Sequence, residues 1–158
     1  MDSFSIILVV VLLILVILSA FFSGSETSIM ALNQIKLDNA EKQGNKSAKI
    51  INSLRKEINR VLGVILIGNN LVNISASALL TFFVIKKFGD EYVWIGTLLL
   101  TIFIIIFAEI APKSFAAKRP ESIAYPASRI LKVLTKYLGS FAEMLTNISN
   151  SLTGIKNN

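Results

Sequence analysis

The sequence predicts an all-α membrane protein with three transmembrane helices and additional amphipathic juxtamembrane helices. Hydrophobic residues make up 53% of the 158 residues and charged residues only 16%, and the mean hydropathy is +0.65. A soluble domain of this length carries more charge. Three apolar runs are each long enough to cross a hydrocarbon core of about 30 Å, and the polar segments beside them carry apolar residues at helical spacing.

The first span is predicted at about residues 4–23, where only Ser5 and Ser19 interrupt the apolar run. A cleaved signal peptide is the main alternative. The run is longer than the apolar core of a signal peptide, no basic residue precedes it, and no small-residue cleavage site follows it. These features favour a transmembrane helix.

The other two spans are predicted at about residues 61–85 and 92–112, since both stretches are apolar and long enough to cross the membrane. Amphipathic helices are predicted at about 34–60, at the membrane surface, and at about 121–152, either at the surface or packed against the bundle. A turn at Gln43–Asn45 is expected to divide the first of these segments.

The segment Ser23–Thr27 interrupts the apolar character at the end of the first span. Ser23 is followed three residues later by Glu26, which is the spacing of a capping box at a helix N-terminus. The sequence therefore predicts that a new helix begins at Ser23.

The basic residues predict the orientation. Thirteen of the sixteen lysines and arginines lie between the first two spans or after the third, and cytoplasmic loops carry an excess of such residues. We expect an integral membrane protein, in the plasma (inner) membrane, with its N-terminus outside and its C-terminus in the cytoplasm. Because these cations flank apolar spans, topology explains the net charge of +6 better than binding of nucleic acid does.

Glu109 is the most informative single residue, since it lies within the last turns of the third span. A carboxylate in hydrocarbon is costly and therefore marks a candidate functional site. Pro112 follows and lacks an N–H group, so the carbonyl of Ala108, four residues earlier, is expected to lose its helical partner. The alternative is a helix-end acid that pairs with Lys113 four residues on.

Uncharged polar residues on the other two spans complete a candidate metal site. Asn70 and Asn73 share a helix face because they are three residues apart, and Ser23 and Ser25 end the first span. With Glu109 they form an all-oxygen set that holds one acid, and oxygen ligands suit Mg²⁺ or Ca²⁺. The chain has no cysteine or histidine, so thiolate and imidazole sites are excluded.

Two observations weaken this site. Serines and asparagines in membrane helices often serve helix packing, with glycines such as Gly63 and Gly68 allowing close approach. The two asparagines are also predicted about 13–18 Å along the second span, at 1.5 Å per residue. That is deeper than the serines or Glu109, unless the second helix tilts or begins earlier.

Three motifs together resemble the DUF21 transmembrane domain of the CNNM/CorC family of magnesium transporters. They are Ser23–Thr27 (SGSET), Gly68–Asn73 (GNNLVN) and Glu109–Lys113 (EIAPK), one at each span. The resemblance covers nearly the whole chain. It implies a homodimer in the lipid bilayer, each protomer holding a dehydrated Mg²⁺ in an inward-facing cavity, with export coupled to Na⁺ influx.

The same resemblance assigns roles to the site residues. Ser23 and Ser25 would supply hydroxyls, Asn70 and Asn73 side-chain oxygens, and Glu109 the one carboxylate. Which serine and which asparagine bind the ion directly is left open.

The resemblance also predicts the domain organisation. Residues 1–153 would form the transmembrane domain, and 154–158 a tail that precedes cytoplasmic CBS domains in full-length members. Two functions remain in competition, an Mg²⁺ exporter and a membrane-anchored Mg²⁺ sensor that regulates another transporter. An enzyme is disfavoured, because beyond Glu109 no nucleophile and base are arranged for catalysis.

Overall fold

A computed structural model describes residues 3–153, and in this range the protein consists of helices and turns without any β-strand. The predicted tail at 154–158 lies outside the described residues. A 3₁₀ turn at Asp90–Tyr92 precedes α5, and a π-helical segment at Ile105–Ile110 joins α5 to α6. The α-helices are α1 Ser3–Ala31, α2 Gln34–Lys42, α3 Lys46–Lys56, α4 Ile58–Phe88, α5 Val93–Ile104, α6 Ala111–Lys118 and α7 Pro120–Thr153.

Three helical stretches are long and apolar enough to cross a membrane, which confirms the predicted fold class. They are Ser3–Ala31, Ile58–Phe88 and Asp90–Lys118. Each extends beyond the apolar run that predicted it, because the helices continue through polar residues at their ends.

The predicted helix start at Ser23 is wrong, since α1 runs without a break from Ser3 to Ala31. Ser23, Gly24 and Ser25 are all buried in the middle of this helix. A continuous helix satisfies backbone N–H and C=O groups internally, which a chain inside a bilayer requires. Gly24 faces α6 and α7 there, because a Cβ on it would lie in ordinary van der Waals contact with Pro112 and Ile123, at 3.6 Å.

The bundle is apolar outside and partly polar inside. The N-terminal half of α1 exposes large side chains such as Ile7, Leu13 and Ile17, while its C-terminal half buries hydroxyls. Lipid is as apolar as a protein core, so exposed isoleucines carry no cost and packing selects small residues. The fully buried serines of α1 are Ser19, Ser23, Ser25 and Ser28.

Helix α1 lies at the centre of the fold, in contact with α4, the π-helical segment, α6 and α7. Its apolar contacts lie beside the buried serines, where Phe22 and Ile29 enter the main core cluster. The remaining buried members of that cluster are Leu54, Val61, Ile65, Val72, Ala127 and Leu131.

The two basic segments pack at the same end of the bundle. A turn that includes Gly44, with φ of 87°, separates α2 from α3 as predicted. Leu37 of α2 and Ala48 and Ile51 of α3 form a second core cluster with Ala124 of α7. The segment predicted at about 121–152 is the single helix α7, whose inner face also packs on α1 and α4.

Arg55 fixes the corner between α1 and α2. Its guanidinium donates hydrogen bonds of 2.6 and 3.1 Å to the carbonyl of Ile29 and of 2.8 Å to that of Leu32, and it also contacts Gln34 Oε1 at 2.7 Å. The last carbonyls of a helix have no partner within the helix. Arg55 therefore caps α1 with a charge that also suits the negative end of the helix dipole.

Gly68 permits a close contact between α1 and α4. A Cβ at this position would lie 2.5–2.9 Å from three atoms of the buried Phe22 ring. We predict that Gly68→Ala destabilises the protein by about 1–3 kcal/mol, the usual cost of overpacking a core. Thermal unfolding in detergent, followed by circular dichroism, measures the loss.

Gly24→Ala is the matched control. A Cβ there meets Ile123 and Pro112 only at an ordinary 3.6 Å, so we expect a change within about 0.5 kcal/mol, as at a tolerant position. Equal melting temperatures for both variants would contradict the close packing at Gly68.

Candidate cation site

Glu109 lies in the π-helical segment directly before Pro112. The N–H of Ala111 donates to the carbonyl of Ile106, five residues earlier, instead of the usual four. A proline ring clashes with the carbonyl four residues before it, and a widened turn at that point relieves the clash. The sequence predicted one lost hydrogen bond at Ala108, and the structure shows a change of helix type over six residues. Such π-helical turns are frequent at functional sites.

Glu109 joins all three spans through hydrogen bonds. Its Oε1 accepts from Asn69 Nδ2 on α4 at 2.9 Å, and Asn69 Oδ1 accepts from the hydroxyl of Ser19 on α1, also at 2.9 Å. Its other oxygen, Oε2, lies 3.3 Å from Lys113 Nζ, and the same ammonium lies 3.5 Å from Glu26 Oε2. The pairing of Glu109 with Lys113, which the sequence left as an alternative, is therefore present as part of a larger network.

One face of α1 carries the residues of this network. Ser19, Ser23 and Glu26 are spaced at i, i+4 and i+7, so they point the same way from the helix. Ser25 lies about 200° around the axis from Ser23, at 3.6 residues per turn. Ser23 is consequently on the face that meets α4 and Glu109, whereas Ser25 is buried on another face of α1.

Several buried oxygens of the predicted site lack a hydrogen-bond partner. Among the described residues, five buried side-chain polar atoms have none, and Ser23 Oγ, Ser25 Oγ and Asn73 Oδ1 are three of them. A buried polar group without a partner costs about 1–3 kcal/mol, so each such group needs an explanation. A cation that takes hydroxyl and amide oxygens as ligands would provide one for Ser23 and Asn73, but not for Ser25, which is buried on another face of α1.

The structure brings Asn69 into the network, a residue that sequence analysis missed. Asn69 and Asn73 are four residues apart and Asn70 and Asn73 are three apart, and both spacings place a pair on one face. The helical pattern alone could not choose between them. Asn70 lies on the exposed face of α4, and its role as a ligand stays a prediction.

Ser19 was the feature of the sequence from which the role of Asn69 could have been predicted. It is one of only two polar residues in the first apolar run, and it lies about one turn deeper than Ser23. The hydrogen bond between Ser19 and Asn69 shows that α1 offers a hydroxyl at the depth of Asn69, so the mismatch in depth that the sequence suggested does not separate these two residues.

Within residues 3–153 no three or more acidic, histidine or cysteine side chains cluster as a metal site. A cation bound here would therefore have Glu109 as its principal anion, with neutral oxygens as the other ligands. Mg²⁺ usually binds through one or two carboxylates and keeps additional oxygen ligands, so this donor set suits it.

We predict that Asn69→Ala lowers stability by about 1–3 kcal/mol, because it removes the partner that joins Ser19 to Glu109 in a buried setting. Asn70→Ala is the matched control, and on an exposed face its effect should stay within about 0.5 kcal/mol. Unfolding of both variants in detergent with added denaturant measures the difference. A larger loss from Asn70→Ala than from Asn69→Ala would contradict the geometry.

A family model described as "Cyclin M transmembrane N-terminal domain" matches residues 10–158. Several curated proteins are similar over most of the chain. The UPF0053 inner membrane protein YfjD of Escherichia coli is 44% identical over 88% of this chain, and a UPF0053 protein of Haemophilus influenzae is 41% identical over 94%. A putative chloroplastic DUF21 domain-containing protein of Arabidopsis thaliana is 36% identical over 87%.

These relatives are much longer than the matched region. The match covers 33% of the Escherichia coli protein, 35% of the Haemophilus protein and 21% of the Arabidopsis protein. The chain thus corresponds to one part of such proteins.

Proposed function

This chain belongs to the cyclin M transmembrane domain family, and we propose that it binds Mg²⁺ at the Glu109 site and carries it across the membrane. The observation that supports this proposal best is the hydrogen bond between the Glu109 carboxylate on the third span and Asn69 on the second. Ser23 on the first span and Asn73 on the second add buried oxygens that lack a hydrogen-bond partner. Hard oxygen ligands without sulfur or imidazole favour Mg²⁺ over softer metals.

The ligands we propose are Glu109, Ser23, Asn73 and Asn69, with Ser25 and Asn70 retained from the resemblance to the family. Asn69 would have to turn its amide to offer its oxygen, because a carboxylate only accepts hydrogen bonds and Asn69 therefore presents nitrogen to Glu109.

Export coupled to Na⁺ influx is the mode of transport we propose, on the strength of the family resemblance. The half-exposed Glu26 and Lys113 lie beside the site, and Glu26 is within a turn of the α1 end that Arg55 of the basic α2–α3 segment binds. If that end is cytoplasmic, the site opens inward, as an exporter loading its ion requires.

A homodimer is proposed from the exposed face of α4. Asn70 lies there beside Leu66, Leu71 and Ile74. An amide facing lipid without a partner is unfavourable, and interhelical hydrogen bonds from asparagine are a common means of helix association. A second copy of this chain would cover the amide and place Asn70 near the proposed pathway.

Cytoplasmic CBS domains in the complete protein are proposed likewise, in keeping with the greater length of the relatives.

The second candidate function is a membrane-anchored Mg²⁺ sensor that regulates another transporter. The same site would bind the ion without moving it. Mg²⁺ flux from proteoliposomes that contain only this chain separates the two, since a sensor gives binding without flux.

We predict that Glu109→Gln lowers Mg²⁺ affinity by more than about 100-fold, beyond the roughly 10–100-fold of a change outside the ligand shell, and stops flux. The protein should still fold, because the amide oxygen can accept from Asn69 and no charge needs partners in the membrane. Calorimetric titration with MgCl₂ measures the affinity.

Glu91→Gln is the control for this measurement. Glu91 is an exposed acid in the 3₁₀ turn, away from the site, so its loss should leave both affinity and flux unchanged. Wild-type affinity in Glu109→Gln would end the assignment of this site.

We predict that the α2–α3 turn faces the cytoplasm and the α4–α5 turn faces outside, as the basic residues indicate. The chain contains no cysteine, so single cysteines report without interference. Gln43→Cys and Asp90→Cys are suitable because both residues are exposed, whereas Asn45 caps α3. In intact cells a membrane-impermeant maleimide should label only Asp90→Cys, and labelling of Gln43→Cys alone would reverse the orientation.

A further inference from the structure

We propose that the Lys113 ammonium is a built-in competitor for the transported cation, which it replaces at Glu109 when the site is empty and leaves for Glu26 when the ion binds. This inference rests on the proposed function of the Glu109 site and specifies how the site releases its ion. It assigns Lys113 and Glu26 as residues that act on the ion through Glu109, without being ligands.

The Glu109 carboxylate already has a partner on each of its oxygens, an amide N–H on Oε1 and the ammonium on Oε2. A dication that binds Glu109 needs an oxygen lone pair facing it. Lys113 Nζ lies 3.3 Å from Oε2. A dication drawn to the same carboxylate would meet the positive charge of this ammonium, so the two cations compete for Glu109 through electrostatic repulsion.

The Lys113 ammonium has a second carboxylate, Glu26, within reach. Glu26 Oε2 lies 3.5 Å from the same ammonium, so Lys113 can leave Glu109 without losing every counter-ion. Lysine suits this exchange because its charge is a compact point on a flexible stem with three donors. No large backbone movement is needed, since the ammonium already lies between the two carboxylates.

Lys113 and Glu26 are more exposed than Glu109. The Glu109 side chain is 25% exposed, whereas Lys113 is 43% and Glu26 47% exposed. The ammonium therefore lies on the less buried side of the carboxylate, which is the side from which we propose that the ion arrives and leaves. A positive charge there opposes a dication at Glu109 and favours its departure, and Glu26 reduces that effect by drawing the ammonium away.

The charges also balance in this scheme. The two carboxylates and the ammonium carry a net charge of −1 when the site is empty, so the apolar bundle never holds the bare Glu109 charge alone. Binding of the dication replaces one cationic partner of Glu109 by another, and the Lys113–Glu26 pair stays neutral as a unit.

The test uses equilibrium binding of MgCl₂ alone, by calorimetry on the purified chain, with flux from proteoliposomes as a second readout. Lys113→Met removes the charge but keeps the length of the stem, and we expect Mg²⁺ affinity to rise about tenfold while flux falls because release slows. Glu26→Gln removes the alternative partner, so Lys113 stays on Glu109 and affinity should fall about threefold to tenfold. Lys118→Met, an exposed lysine on the same helix, is the control and should change neither value.

The double variant Lys113→Met/Glu26→Gln distinguishes exchange from simple attraction between Glu26 and the ion. If Glu26 acts through Lys113, its substitution loses most of its effect once the lysine is gone. If Glu26 only attracts the ion directly, Glu26→Gln lowers affinity equally in both backgrounds, and that result overturns the proposal. Lys113→Gln replaces Lys113→Met if the latter does not fold.

The outcomes separate this inference from the proposed function. Wild-type protein that binds no Mg²⁺ overturns both. Wild-type binding that is lost in Glu109→Gln but unchanged in Lys113→Met, or lowered by it, overturns only the role of Lys113.

Discussion

The cost of holding the Glu109 carboxylate inside an apolar helix governs the architecture around it. An acid in hydrocarbon persists when its charge has partners, and here they come from all three spans. Asn69 of α4 supplies an N–H donor, Lys113 on the next turn supplies a cation, and Ser19 of α1 holds the amide of Asn69 in place. These contacts tie the three helices together at one depth. Packing of apolar side chains against lipid would not by itself specify how deep each helix lies relative to the others.

The widened turn before Pro112 belongs to the same arrangement. A π-helical segment adds a residue to the turn and so shifts the direction of the side chains that follow relative to a regular α-helix. Glu109 lies within this segment and Lys113 just beyond it, on α6. Proline is tolerated in membrane helices when neighbouring groups adjust around the missing hydrogen bond. In this protein the adjustment occurs at Glu109, which is the acid of the third span that lies far from the N-terminal turn of that span.

The sequence predicted the helices better than the site. Apolar length alone determined the three spans, because a bilayer demands it whatever the tertiary contacts. The prediction at Ser23 was wrong because a capping box is a local pattern, and burial of Ser23 and Gly24 against other helices outweighed it. Likewise, the choice between Asn69 and Asn70 depends on the rotation of α4 about its axis. The collision that a side chain at Gly68 would make with Phe22 shows which face of α4 meets α1, and that contact cannot be read from spacing.

One face of α1 links the depth of the site to its exposed end. Ser19 reaches Asn69, Ser23 lies one turn nearer the end of the helix, and Glu26 reaches Lys113. The neutral hydroxyls and the second carboxylate are therefore fixed to one rigid element, and Arg55 anchors the end of that element to α3. A rotation of α1 would move the oxygens away from Asn69 and Glu26 away from Lys113 together. In the proposed function, binding of an ion at the deep end and the pairing of charges at the exposed end would therefore be coupled through this single helix.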